Sequence, residues 1–568
     1  MRDLYLIRCL CVFSAWLFSL GVAYGQQIDT TAYHELSGVE VVEKVRPSVT
    51  REGTPLQIMD RAGIDRLGVQ DLSEAVKRFS GVTVQDYGGI GGLKTVSVRS
   101  LGAKHTAVSY DGVSITYEQS GQVDISRFSL DNVSQLTMTI GQSDDIYQTA
   151  RAFASAGVLT IQTSRPDFQE TSYHVNANLK AGSFGLVNPS VLYNQRITDN
   201  TSFSIYGDFL RADGNYPFKM WNGNTLIDSK RNNSDIRTYR AEATLYTSFT
   251  PTQDLQVKAY LFDSERGLPG GVIYDNPYAA ERLFDKNYFG QFRYENRFSD
   301  RLKLQALGKF NYSWNRDYND EASGITDDRY RQTETYLSAT LWGDLGKGFS
   351  LSLAQDFAYN YLHTTLDQCQ FPQRYTLLTA LGAQYQRNSF TATASLLNTY
   401  ITEDVRIGTA AADRKRFRAS YKDIFRTPTF NDLYYLVIGN SSLRPETTKQ
   451  GNLGVTWSGS KLGFLDFLSL SADTYYNKVK DKIVAMPYNM FIWNMVNLGK
   501  VEIWGVDANI NTTFQLAKHY SLLLTGNYTY QYAVDKTDPE VVYYKHQIAY
   551  TPRHSAGASL ALESCSGK

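Results

Sequence analysis

Residues Tyr288-Phe289-Gly290-Gln291-Phe292-Arg293-Tyr294-Glu295-Asn296-Arg297-Phe298 change character almost at every step. Tyr288, Phe292, Tyr294 and Phe298 share one face, and Gln291, Arg293, Glu295 and Arg297 share the other. The next run repeats the pattern, with Leu302, Leu304, Ala306, Phe310, Tyr312 and Trp314 opposite Lys303, Gln305, Lys309, Asn311 and Ser313. A period of two belongs to a β-strand. From about Thr171 onward such segments follow one another to the end of the chain. Strands this long, numerous and aromatic predict an all-β antiparallel membrane barrel with a wet interior.

Bulk composition narrows the function. The 568 residues suggest two domains. Lys plus Arg and Asp plus Glu balance at 57 each, so no basic field points to nucleic acid. Mean hydropathy is −0.35, and no internal apolar run approaches the roughly 20 residues of a spanning helix. Yet aromatics make up 13%, with 40 Tyr against 28 Phe. An apolar ring with a polar hydroxyl suits the two rims of a bilayer.

The N-terminus reads as an export signal over residues 1–25. Arg2 and Arg8 precede an apolar stretch from Cys9 to Val22, and Ala23-Tyr24-Gly25 supplies small residues before the expected cut. Cys9 and Cys11 leave with it. Cys369 and Cys565 remain, too few for a disulfide framework and not spaced for zinc. His34, His105, His174, His363, His519, His546 and His554 show no HExxH or paired-ligand spacing, and each reads as a surface or lumen residue. No catalytic site, metal site or cofactor is predicted.

Between about Arg46 and Thr163 the texture changes to short strands, Gly-rich loops and one helix. Asp71-Leu72-Ser73-Glu74 has the form of a capping box. Leu72, Ala75, Val76 and Phe79 fall on one face, and Gly81 is expected to stop the helix. Strands are predicted at Thr95 to Val98, Thr106 to Tyr110 and Val158 to Thr163, with Asp111-Gly112 as a turn. Gly88-Gly89-Ile90-Gly91-Gly92-Leu93-Lys94-Thr95 has the outline of a phosphate-binding loop, but Leu93 stands where that motif needs Gly. It reads as a bent, backbone-exposing loop.

This stretch resembles the plug domain of TonB-dependent outer-membrane receptors. The matching pieces are Phe79-Ser80-Gly81-Val82, Val96-Ser97-Val98-Arg99-Ser100-Leu101-Gly102, Val108-Ser109-Tyr110-Asp111-Gly112-Val113 and Ala156-Gly157-Val158-Leu159-Thr160-Ile161. Downstream, Phe425-Arg426-Thr427-Pro428-Thr429-Phe430-Asn431-Asp432-Leu433-Tyr434-Tyr435 and Leu443-Arg444-Pro445-Glu446 resemble another family signature. Two stretches depart from the pattern: Leu136 to Gln142 lacks the Glu-bearing strand ending in Arg-Gly-Pro, and Ile146 to Ala154 lacks the Tyr-Gly-Ser approach. The resemblance implies a signal peptide at 1–25, an N-terminal segment at 26–45, an α+β plug at 46–165 inside the lumen, and a barrel at 171–568.

It also implies function. A receptor of this kind actively transports a scarce metal chelate (ferric siderophore, cobalamin or haem) across the outer membrane of a Gram-negative bacterium. The implied partners are TonB, with ExbB and ExbD supplying energy, the chelate and outer-membrane lipid, around a monomeric multi-pass barrel. Val39-Glu40-Val41-Val42-Glu43 is the expected TonB box, an apolar segment able to add as an edge strand. The other reading of that segment is the first strand of the plug. Candidate ligand contacts on the plug are Tyr87, Gly88, Gly89, Gly91, Gly92, Tyr117, Glu118 and Gln119. On the barrel loops they are Tyr216, Phe218, Trp221, Tyr274, Tyr278, Tyr434 and Tyr435, since aromatics with polar handles suit large, partly polar ligands. The plainer reading of each is interface or loop packing. A ligand-binding or adhesion protein, or an inactive truncated receptor, is the alternative function.

Counting segments raises a conflict. Strands are expected near 173–182, 189–197, 201–211, 236–249, 254–265, 285–298, 302–316, 329–344, 348–363, 374–388, 390–403, 414–425, 448–458, 464–477, 502–514, 520–533, 541–550 and 555–563. That is about 18, against ~22 in the family barrel. In-and-out alternation would put Pro428 to Tyr435 on the periplasmic side, although its length and aromatics suggest the outside. A strand is therefore expected to be missing near Asp404 to Asp413. Glu563-Ser564-Cys565-Ser566-Gly567-Lys568 reads as neither a strand nor an aromatic-ended last strand, and a barrel lacking its C-terminal strands is expected.

Overall fold

The structure is a computed structural model. It describes residues 56–564 apart from 88–89, 91, 142, 144, 169–170, 223, 270–278, 322–323, 366–370, 388–389, 405–413, 420–421, 435–437, 463–464, 488–492, 518–519, 541–543 and 549–550. Val39–Glu43, Gly88, Gly89, Gly91, Tyr274, Tyr278 and Tyr435 lie outside the described residues. No helix among the described residues is long and apolar enough to cross a membrane.

The N-terminal domain is built from strands β1 (Leu56–Asp60), β2 (Val82–Asp86), β3 (Lys94–Val98), β4 (Thr106–Tyr110), β5 (Val113–Ile115), β6 (Val133–Ile140) and β7 (Gly157–Thr163). Five of these form a sheet in the order β1-β6-β7-β4-β5, and β2 pairs with β3 as a separate hairpin. Three short helices join them: α1 (Arg61–Leu67), α2 (Leu72–Val76) and α3 (Ala150–Phe153). The expected cap holds at α2, where Asp71 accepts from the Glu74 backbone at 2.9 Å. The returning bond from Glu74 goes to the backbone of Gln70, one residue ahead of the cap. The helix ends at Val76 rather than continuing to Gly81, because Lys77, Arg78 and Phe79 turn through backbone bonds to Ser73, Ala75 and Val76. Leu72, Ala75, Val76 and Phe79 still face one core with Val98, Val108, Leu136, Leu159 and Ile161.

Around this domain runs the strand wall. A twelve-stranded sheet runs from Tyr173–Gly182 to Arg414–Ala419, and a six-stranded sheet from Lys422–Arg426 to His554–Ser564, all with antiparallel neighbours. Tight turns such as Thr250 to Gln253 and Ser299 to Leu302 sit at one end, and long connections at the other. Alternation sorts the faces as the sequence predicts. Phe292, Phe298, Phe310, Leu337, Leu341 and Leu353 point outward and are exposed, while Gln291, Lys309, Asn311, Glu334 and Asp356 point inward and are buried. An apolar outer band over a polar lumen is the pattern of a membrane barrel.

Two strand assignments change. Residues 414–425 are not one strand: Arg414–Ala419 pairs with Phe390–Asp404, and Lys422–Arg426 pairs with Glu446–Leu462. The first leads away from the long-connection end, and the second returns to it. That reversal, not a strand lost within 404–413, puts Pro428 at the same end as Arg374, whose guanidinium donates to the Pro428 carbonyl at 2.9 Å. The predicted strand at 541–550 is absent from its described part, where Tyr544 and Lys545 form a turn and Gln547 makes one isolated bridge to Val534. The last strand, His554–Ser564, runs one residue past each end of the expected 555–563 and so takes in Ser564, the second residue of the stretch expected not to form a strand. Among the described residues the wall has eighteen strands.

Candidate functional site

The β4–β5 connection is the tightest in the N-terminal domain. Asp111 and Gly112 both take left-handed backbone, φ +51° and +86°, which reverses the chain in two residues. The turn drives Tyr110 and Asp111 against the wall. Lys258 Nζ lies 2.7 Å from Asp111 and 2.9 Å from Glu242, all three side chains being buried. Asp111 also accepts from the Thr163 backbone at 2.7 Å. The same wall holds Arg127 through Asp285 at 2.6 Å and Arg151 through Glu334 at 3.1 Å. Glu334 is shared with Lys309 at 2.7 Å. Asp356 accepts from the first backbone N–H groups of α3, at 3.2 Å from Ala150 and 2.8 Å from Arg151. Ile146 packs on Ala354, Leu378 and Ala380. The stretch Ile146 to Ala154 is thus seated on the wall despite its unusual sequence.

At the long-connection end a second constellation forms. The loop after Arg426 folds into a short helix, α4 (Phe430–Tyr434), which lies on the domain's Tyr117-to-Gly121 loop. Phe430 and Asn431 donate backbone N–H groups to the Glu118 and Gln119 carbonyls at 3.3 and 2.9 Å. Lys104 reaches Asp432 at 2.6 Å, and His105 Nε2 lies 2.8 Å from Glu446. Arg426 ties both carboxylates together, at 3.2 Å from each. Arg374 bridges Glu118 at 3.0 Å and stacks over Phe430 at 4.7 Å.

Burial and neighbouring charges compete over the titrating groups here. Burial wins at His105. It holds the His105 imidazole below its ordinary value, against the upward pull of Glu446. Burial also presses the Asp432 carboxyl upward, but Lys104 and Arg426 outweigh it and hold it below the usual carboxylate value. The Tyr117 phenol, buried beneath Arg127, is pushed up to about 12. These groups surround a cavity of about 200 Å³ lined by Lys104, His105, Tyr117, Glu118, Arg151 and Arg426. Every one of those cations has a carboxylate partner, so an anionic ligand entering here would compete for charges already in place.

Among the described residues, those singled out from the sequence do not gather at one site. Tyr87 is exposed and bonds Gln85, and Gly92 is buried. Tyr117 bonds Asn315, Glu118 pairs with Arg374, and the Gln119 backbone donates to Gln332 at 3.0 Å. These three are engaged by the wall while two of them line the cavity. Tyr216 joins Phe184 and Phe218 in an aromatic group. Trp221 stands on the hairpin Pro217–Asn222/Thr225–Lys230 with 69% of its surface exposed. Tyr434 packs with Tyr330, Leu362 and Phe430.

Two family models match the chain: a TonB-dependent receptor plug domain over residues 49–155, and a TonB-dependent receptor-like β-barrel over residues 221–563. The chain belongs to the TonB-dependent receptor family. Members of this family are outer-membrane β-barrels that act as transporters and receptors in metal and siderophore uptake. Solved structures share the fold at low identity. The FrpB iron transporter from Neisseria meningitidis is 11% identical, covering 90% of this chain and 84% of its own, with a TM-score of 0.69. The ferric citrate transporter FecA, unliganded, gives 12%, 90%, 82% and 0.68. The copper transporter OprC gives 16%, 85%, 80% and 0.66.

In this receptor the plug's fastening residues were largely invisible in the sequence. Asp111 lies in a quoted plug match as a turn former, and Lys258 and Glu242 fall inside the expected strands 254–265 and 236–249 with nothing to mark them. Arg426, Asp432 and Glu446 did lie within the quoted signature. Their shared charge network is the physical content of that pattern.

Proposed function

We propose that this receptor imports a metal chelate through a multi-pass barrel in the outer membrane of a Gram-negative bacterium, drawing energy from TonB with ExbB and ExbD. The observation that carries this reading is the 200 Å³ cavity, shared between plug loops and the Arg426–Asp432 arm. A ligand there touches both the plug and the barrel, so binding can be felt by the part that must move. The solved relatives named for ferric citrate, iron and copper support a metal-bearing cargo. Val39 to Glu43 remains the proposed TonB box, and Tyr87, the Gly88 to Gly92 loop, Tyr216, Trp221, Tyr274, Tyr278, Tyr434 and Tyr435 the proposed outer contacts. Testing it requires cells expressing the receptor and a panel of ferric and cupric chelates, including ferric citrate. Energy-dependent uptake of at least one, abolished by deleting Val39 to Glu43, is expected. Normal uptake by the deletion variant would overturn the box, and no uptake of any metal chelate would overturn the cargo class.

A further inference from the structure

The outward face of the six-stranded sheet carries charge of one sign near its long-connection end. Lys449 stands directly opposite Lys478 on the neighbouring strand, and Lys480 directly opposite Lys500 on the next. Lys536 joins them, its backbone donating to the Lys500 carbonyl at 2.9 Å. Alternation points these side chains away from the lumen: Thr448, Val479 and Val501 beside them are buried, while Lys449, Lys480 and Lys500 are exposed. Glu502, opposite Lys478, is the acidic group within this face, and Lys536 takes it. Asp481 is taken by Arg444 at 2.5 Å. Lys478, Lys480 and Lys500 have no carboxylate partner among the described residues.

Like charges set directly opposite one another in a sheet are destabilising, and this sheet holds two such pairs side by side. The twelve-stranded sheet does the reverse on its outward face. There Lys286 lies opposite Asp263 at 2.9 Å, Arg237 opposite Glu265 at 2.8 Å, and Arg316 reaches Asp327 at 2.6 Å. The lysine face is left with an excess of positive charge that an anion from outside the chain would balance.

The residues beneath the lysines say which anion. Two positions down each strand Tyr476 opposes Trp504, Trp504 opposes Tyr532, and Tyr530 lies 5.3 Å from Trp504. Tyr476, Trp504 and Tyr528 are exposed, and below them Leu470 and Ile510 form an exposed opposed pair. Outward aromatics mark the boundary between membrane and water, and the apolar band between such boundaries faces lipid. At ~3.3 Å per residue the lysines begin about 7 Å above that boundary, at the level of the headgroups. Barrels of this kind carry their long connections on the outside, so the leaflet is the outer one.

We propose that Lys449, Lys478, Lys480, Lys500 and Lys536 form a docking site for a phosphate-bearing lipid of the outer leaflet, with its headgroup on the lysines and its acyl chains along Tyr476, Trp504 and Leu470. Ammonium groups suit this partner, being point charges on long stems that lie along apolar surface and reach up to a phosphate. A soluble anion would meet the charges alone, whereas a lipid meets the charges and the aromatic surface together. The inference rests on the outer-membrane placement of the family and is independent of the cargo.

The purified receptor, in a neutral detergent, is titrated with diphosphoryl lipid A, and bound lipid phosphorus is measured after gel filtration at each concentration. The parent should retain the lipid. The triple variant Lys478→Gln, Lys480→Gln, Lys500→Gln should lose about tenfold or more in affinity, since each lysine near an anionic lipid surface adds to the attraction. Lys286→Gln, whose charge is matched by Asp263, should bind as the parent does. Phosphatidylcholine, whose phosphate is matched by its own ammonium, should not be retained. Heat-modifiable gel migration reports folding, and Lys480→Gln alone should show a smaller loss of the same sign should the triple variant not fold. Lipid A binding by the folded triple variant as tight as the parent's overturns the proposal, as does equal retention of phosphatidylcholine or an equal loss in Lys286→Gln. Complete displacement by millimolar inorganic phosphate would give the face to a free anion. Receptor dimers that the triple variant cannot form would give it to a second copy of the chain. Either result overturns the lipid assignment, and each leaves the import reading untouched.

Discussion

Tyr110 of the plug donates its hydroxyl to both carboxylate oxygens of Glu242 on the barrel wall, at 2.8 and 2.9 Å. Lys258 completes the group, 4.4 Å from the Tyr110 ring centroid and in contact with Glu242 and Asp111. The plug's tightest turn is therefore fastened where water does not compete. Lys258→Met would leave two buried carboxylates facing each other without a cation. Removing one member of a buried ion pair costs ~3–5 kcal/mol, and that loss is expected in the plug's unfolding transition in detergent. The measurement is denaturant unfolding with limited proteolysis of the plug. A loss under about 1 kcal/mol would show that the triad does not fasten the turn.

Gly121 lies where the α4 arm touches the plug. It adopts φ +69°, and a Cβ placed on it would stand 2.3 Å from Thr429 Cγ2. Thr429 is itself fixed, its backbone N–H donating to Asp432 at 2.9 Å. Gly121→Ala therefore meets strain and a collision together, and is expected to cost ~1–3 kcal/mol of arm docking. Hydrogen exchange should show this as faster exchange at the Phe430 and Asn431 amides, with the β4–β5 turn unchanged.

The same arm should respond to acid. The Asp432 carboxyl is held below its ordinary 3.8 in the folded receptor, because Lys104 and Arg426 outweigh the effect of burial. A folded group with a depressed pKa contributes its full stability above the unfolded value and loses it as pH falls through the folded value. Arm docking should therefore be insensitive to pH through this group near neutrality and weaken as pH falls below about 3.8. In Asp432→Asn that acid-dependent portion should disappear, with docking weaker at neutral pH. An unchanged acid profile in Asp432→Asn would assign the titration to another group.

The period-two alternation carried the barrel because it is local: one residue's face follows from its neighbours alone. Tyr288 and Phe292 could be assigned outward, and Gln291 inward, without knowing any partner. The plug was legible through its turn chemistry at Asp111-Gly112 and its cap at Asp71. The fastening charges were not. Arg99 meets Asp507 across 408 positions, and nothing near either residue marks the pairing. The reversal between Arg414–Ala419 and Lys422–Arg426 was hidden for a related reason. Both strands are short, and alternation specifies a face but not a direction.

Trp221 separates packing from binding at the outer surface. It sits on the hairpin opposite Leu226 with 69% of its surface exposed, so the fold gains little from it. Trp221→Ala is expected to change unfolding by no more than about 0.5 kcal/mol. If the hairpin takes part in the proposed capture of cargo, a large exposed aromatic contributes as an interface anchor, where truncation costs ~1–2 kcal/mol or more. The half-saturating chelate concentration for uptake should then rise about tenfold in Trp221→Ala, with the maximal energised rate unchanged. Unaltered half-saturation with unaltered stability would remove Trp221 from the ligand contacts.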